Sequence, residues 1–204
     1  MTIRELTRRR WDARGVYVPL IARSGDESLA PPELLDTAAD FPETQFLLIT
    51  AGSLVDEAFL DRLERLSNVT PVLSLEDLGG ETHEQAVQAM ERMQERRMFF
   101  GTLLTITYRN FPLVTSRMFV RDLVERGCGL FFYTDYVAIT PATEHLVPSP
   151  SQRKNEALSM ALLRREFHAL FLTFSTFTCA DLRGVPLSDA LRSHLPREIG
   201  ARAA

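Results

Sequence analysis

Ser74 and Glu76 stand two residues apart in the apolar run VTPVLSLE. On a strand they share one face, which puts a hydroxyl and a carboxylate side by side. A carboxylate buried there without a partner would cost several kcal/mol, so Glu76 marks either a binding site or the wet end of the strand. Thr105 and Thr107 repeat the spacing in GTLLTIT, with Asn110 just beyond. They can line a pocket with hydroxyls, or serve simply as β-branched strand formers. A further carboxylate, Glu27, lies in Gly25-Asp26-Glu27-Ser28, a composition that also suits a surface turn. Glu27 and Glu76 are the pair that acid–base chemistry in an α/β enzyme would use. Tyr133, Asp135 and Tyr136 close the run LFFYTDYV as additional polar candidates.

Other chemistries find little support. His83, His145, His168 and His194 are scattered without metal-ligand spacing, so no metal site is expected. There is no phosphate-binding glycine motif and no Gly-x-Ser-x-Gly elbow. The two cysteines, Cys128 and Cys179, cannot build a disulfide framework. Cys128 precedes an apolar strand, where a small buried thiol is expected. A net charge of −4 and a pI near 5.6 argue against nucleic acid, which calls for a basic face. Arg8, Arg9 and Arg10 form a short basic run of the kind that is usually solvated. No apolar run approaches the roughly 20 residues of a membrane span, and the N-terminus lacks the apolar core of a signal peptide. A cytoplasmic protein is the expectation.

The elements that must position these residues alternate. Gly15–Ala22 reads as a buried strand, and Pro31 and Pro32 open a helix that ends before Pro42. Gln45–Gly52 is the next strand. Ser53 followed by Asp56 suggests a capping box before a helix striped by Val55, Phe59, Leu63 and Leu66. VTPVLSLE follows as a strand, then a helix beyond Thr82 carrying Ala86, Met90 and Met93. Phe99–Thr107 is the longest predicted strand. Thr115 or Ser116 caps a helix stopping at Gly127, a residue suited to the left-handed C-terminal position. Leu130–Val137 is a strand, Ser149 and Pro150 begin a helix to about Arg165, and FHALFLTF is a last strand. LSDALRSHL reads as a short helix. Strands this uniformly apolar are covered on both faces, which implies an α/β fold with a mainly parallel sheet and helical crossovers. One domain spans residues 1–196, followed by a polar tail, 197–204, expected to be disordered.

Several of these stretches, in order from about Val16 to Thr143, resemble one branch of the radical S-adenosylmethionine (radical SAM) superfamily. Thr50-Ala51-Gly52 and Ser74-Leu75-Glu76-Asp77 stand where that branch ends successive strands in Thr-Asn-Gly and Ser-x-Glu-Gly. GTLLTITYRNF, YVAITPATEHLV and VPLSDALRSHL are similar to its later strand, loop and helix. The resemblance implies a partial (β/α) TIM-like barrel of the radical SAM type, with its site at the C-terminal ends of the strands. At 204 residues the chain is short of the roughly 250 of a complete barrel. Gly25 and Glu27 would approach the methionine amino group of S-adenosylmethionine, although Asp26 and Ser28 replace the family's glycine and proline. Ser74 and Glu76 would hold the ribose, Thr105, Thr107 and Asn110 would line the cofactor pocket, and Tyr133, Asp135 and Tyr136 would lie on the substrate side.

The same resemblance implies a 4Fe–4S cluster on a Cys-x3-Cys-x2-Cys loop, and no such triplet occurs among these residues. The chain opens at the helix that would follow that loop, as expected of a truncated or degenerate relative that is catalytically incomplete on its own. Three readings stay open: a remnant that binds S-adenosylmethionine without iron; a non-catalytic scaffold forming a homodimer or hetero-complex through an open barrel edge; and an unrelated α/β enzyme using Glu27 and Glu76.

Overall fold

A strand and a helix alternate along the chain because each apolar strand needs a crossover to meet the next in parallel. The computed structural model describes residues 16–17, 31–42, 44–75 and 80–173. In order these form β1 (Val16–Tyr17), α1 (Pro31–Asp40), β2 (Gln45–Thr50), α2 (Glu57–Glu64), β3 (Val69–Ser74), α3 (Glu81–Glu95) and β4 (Gly101–Ile106). There follow α4 (Phe111–Val114), α5 (Arg117–Glu125), β5 (Leu130–Asp135), a 3-10 turn (Pro141–Leu146), α6 (Pro150–Glu166) and β6 (Leu170–Thr173). All six strands are parallel and neighbour one another in sequence order. Among the described residues the sheet is not closed, and β1 and β6 are its edges. This is an α/β fold with a parallel sheet and helical crossovers, as the alternation implies, and it has the form of the partial barrel that the resemblance implies.

The two faces of the sheet differ. Phe46, Leu48, Leu73, Leu104, Ile106, Phe131, Tyr133 and Phe171 join the large core beneath the helices, packed against Leu60, Ala86, Met90, Val120 and Met160. The alternate residues Leu47, Val72, Leu130, Phe132 and Leu172 form a second, smaller cluster, with Ile49 and Leu103 against it. Period-two alternation makes this second face the barrel interior. The helical core is the larger, and Phe131 stacks on Phe171 within it at 4.8 Å.

Helix starts follow local chemistry. Ser116 and Ser149 accept hydrogen bonds from Phe119 N–H and Gln152 N–H, and Ser149 with Gln152 completes a capping box. At α2 the expectation is corrected: Asp56, not Ser53, is the cap, accepting from Phe59 N–H at 2.7 Å. A tight turn through Gly52–Val55 consumes Ser53 before the helix begins. Gly127 ends the α5 segment at φ +93, the left-handed conformation expected of it. The strands are shorter than predicted because pairing sets their ends: Phe99 and Val137, read as strand, are exposed and lie outside β4 and β5. Most of the predicted first strand, together with LSDALRSHL and the tail, lies outside the described residues. No helix among the described residues is long and apolar enough to cross a membrane.

Candidate functional site

In a parallel sheet with helical crossovers, loops that follow the strands gather at one end, and there the interior face changes character. Its middle layer is apolar, with Leu47, Ile49, Val72, Leu103, Phe132 and Leu172 above Thr70 of β3, and Ser74 on β3, Thr105 on β4 and Thr134 on β5 bring hydroxyls to the carboxyl end. Thr105 and Thr134 are register partners on neighbouring strands, which lie ~4.8 Å apart. Ser74 pairs with Leu103, one step below Thr105 on the adjoining strand. All three residues are half-buried. Among the described residues their hydroxyls have no hydrogen-bonding partner, whereas Thr115 donates to Phe111 O and Thr143 to Thr140 O. The result is a row of free hydroxyls above an apolar floor of Ile49, Leu103, Phe132 and Leu172.

Thr107 and Asn110 have other work. Thr107 N–H donates to Asn110 Oδ1 at 2.7 Å, Asn110 N–H to Thr107 Oγ1 at 3.1 Å, and Asn110 Nδ2 to Thr105 O at 2.9 Å. This reciprocal clasp fixes the turn after β4, so the pair shapes the mouth. Tyr136 is half-buried at the rim, its N–H donating to Ile106 O. His83, in the first turn of α3 at the same end, has a buried Nδ1 without a partner among the described residues.

The structure revises two expectations. Tyr133 and Asp135 were expected on the substrate side, yet alternation along β5 turns them toward the helices and gives the interior position to Thr134. Tyr133 is fully buried, its hydroxyl donating to Val114 O at 2.9 Å, and burial pushes its phenol well above the ordinary range. Asp135 meets Arg153 of α6 at 3.3 Å. Burial raises its carboxyl, and the guanidinium offsets part of that rise. Thr134 went unnoticed because both faces of LFFYTD are apolar below it, so the sequence does not say which face is interior. Gly25, Glu27, Glu76 and Cys179 lie outside the described residues.

Cluster chemistry does not fit the groups present. Cys128 precedes β5, at the opposite end of the sheet from the mouth. Its thiol is buried, donates to Leu130 O at 3.3 Å, and is pushed up to about 11 by burial. One inert thiol here and one more in the whole sequence cannot make a three-thiolate site. Among the described residues no group of three or more potential metal ligands occurs. Hydroxyls beside an apolar floor are able to meet both the polar edge and the face of a flat ligand.

No protein-family model matches the chain, and no curated protein is significantly similar to it. Solved structures do match in fold. Streptococcus suis SuiB bound to S-adenosylmethionine superposes with a TM-score of 0.55 at 17% identity, covering 70% of this chain and 36% of SuiB. The anSMEcpe protein with bound AdoMet gives a TM-score of 0.57 at 15% identity, covering 83% of this chain and 52% of its own. Both hold S-adenosylmethionine, the cofactor of the superfamily that the sequence resembles. The fold is radical-SAM-like. At these identities the likeness concerns the fold alone, and the chain spans about a third to a half of the length of the radical-SAM structures it matches.

Proposed function

We propose that this radical-SAM-like barrel segment binds S-adenosylmethionine at the carboxyl end of its strands and carries no cluster of its own. The observation that supports the reading most is the row of unpartnered hydroxyls at Ser74, Thr105 and Thr134 over the apolar floor. That both structural neighbours hold the same molecule supports it further. In this reading Ser74 and Glu76 receive the ribose hydroxyls, Thr105 and Thr134 bond the heterocycle or ribose edge, and Gly25 and Glu27 meet the methionine ammonium. A carboxylate is the natural acceptor for hydroxyl and ammonium donors. With two cysteines in the chain, reductive cleavage of the cofactor needs cluster ligands from elsewhere.

Equilibrium binding of S-adenosylmethionine to iron-free protein tests this. Thr105→Val removes one hydrogen bond at constant volume and is expected to weaken binding about 2- to 12-fold, the range for a single neutral bond. Glu76→Ala is expected to abolish measurable binding. Unchanged affinity in both variants would overturn the assignment.

A second reading, a non-catalytic protein that pairs through its sheet edge, is favoured by β6 having no further strand beside it among the described residues. It expects a dimer or hetero-complex, and a monomer by light scattering would count against it.

A further inference from the structure

Glu156 is the one charged residue among the described residues that is buried, with 3% of its surface exposed. It occupies the sheet-facing stripe of α6 with Met160 and Leu163, at the i, i+4, i+7 spacing of an apolar face. Its Oε1 has no hydrogen-bonding partner, and neither has Oδ1 of Asp135 on the facing strand β5. The cation beside them is Arg153, which reaches Asp135 Oδ2 at 3.3 Å and is itself 47% exposed. Two carboxyl groups with orphaned buried oxygens therefore face one partly hydrated guanidinium. We propose that Glu156 is seated uncharged in the folded protein, and that its ionisation loosens the first half of α6 together with the rim segment 136–149, making the mouth sensitive to pH.

The rim is coupled to α6 by identifiable bonds. Gln152, inside the capping box, donates from Nε2 to Tyr108 O at 2.9 Å, and Tyr108 N–H donates to Leu146 O at 2.8 Å. Arg153 holds the end of β5 one residue further along α6. Displacing the turn of α6 that carries Glu156 therefore pulls on the β4 turn and the 3-10 turn at once. The groups facing Glu156 are few among the described residues. From β5 come Asp135, which repels its charge, and Tyr133, whose hydroxyl is committed to Val114 O; from α6 comes Arg153, which attracts it. β6 contributes only Leu170–Thr173, Glu144 and His145 of the 3-10 turn are exposed, and Arg117 and Arg121 pair with Glu166 at the far end of α6. Burial first, then Asp135, pushes the Glu156 carboxyl up to about 7 against the opposing pull of Arg153. A carboxyl raised on folding contributes stability that is complete below its unfolded value and is lost as pH climbs through the folded one. Asp135 is raised as well and acts in the same sense.

The experiment is urea unfolding across a pH series, with amide exchange of the same samples, on wild type and Glu156→Gln. In the wild type the folding equilibrium is expected to weaken by about tenfold or more between about pH 5 and pH 8, with protection in α6 and 136–149 falling in parallel. Glu156→Gln should flatten the profile and keep that protection at the alkaline end. An identical pH slope in the two proteins would overturn the proposal. Carbon-13 titration of the wild-type glutamates settles it independently should the variant not fold. A Glu156 midpoint near neutrality supports the seated neutral form, and a midpoint in the ordinary glutamate range overturns it.

Discussion

Gly52→Val is expected to leave little folded protein, and Gly52→Ala to lose about 3 kcal/mol or more, because two independent costs fall on the same atom. Gly52 follows β2 in the Thr50-Ala51-Gly52 turn with φ +97, where a side chain costs ~1–2 kcal/mol from local sterics alone. A Cβ there would lie 2.9 Å from Ala86 Cα, 3.0 Å from Ala86 N and 3.0 Å from Gln85 O. These are backbone atoms of α3, so no rotamer change relieves the contact. The helix itself must shift, and Ala86, Met90 and Met93 of that helix are all fully buried against the sheet. Overpacking of this kind adds ~1–3 kcal/mol, a large part of the ~5–15 kcal/mol that holds a domain folded. Urea midpoints for the two variants, with Ser53→Ala as the exposed neighbour control, measure it. A loss below about 1 kcal/mol for Gly52→Ala would show that α3 does not sit this close to the turn.

That close approach is not visible in the sequence, which shows a glycine after an apolar run and no more. What was visible is the alternation itself. Uniformly apolar strands and helices with clear faces at Val55–Leu63 and Ala86–Met93 leave few arrangements other than a parallel sheet with crossovers. Ser149-Pro150-x-Gln152 announced its cap because the signal is local. Ser53 and Asp56 are both good capping residue types, and a turn closed by Gly52 O and Leu54 O decides between them. α4 and the 3-10 turn were missed because four to six residues carry too little periodicity to be recognised. The site divides in the same way. Spacing identifies residues sharing a face, Ser74 with Glu76 and Thr105 with Thr107, but it cannot say whether that face meets helices or the barrel interior. On β3 and β4 the two core clusters put Ser74 and Thr105 on the face opposite the helical core. On β5 Tyr133 faces the helical layer, where its hydroxyl donates to Val114 O, and the all-apolar run before it gives no sign of that in the sequence.

Asn68 is the second position where a large effect is expected, and the direction depends on which atom the carbonyls see. Only 3% exposed, it directs Nδ2 at Ala38 O and Phe41 O, both 2.9 Å away, and at Thr44 O, 3.0 Å away. Its own carbonyl accepts from Phe46 N–H. One amide thereby ties the end of α1 and the entries to β2 and β3. Asn68→Ala removes the donors and leaves a void. Ala38 O and Phe41 O keep a backbone donor each, so the cost is about 2–4 kcal/mol rather than the sum of three lost bonds. Asn68→Asp preserves the shape but faces three carbonyl oxygens with a carboxylate that has nothing to donate. It is expected to be the more damaging substitution at neutral pH, despite being the more conservative in volume. Its carboxyl would be raised on folding, so the lost stability should return in part at acid pH and disappear as pH rises. Unfolding curves for both variants at neutral and acid pH measure this. Asn68→Asp matching wild type at neutral pH would mean that the amide is turned the other way and that the three segments are joined by something else.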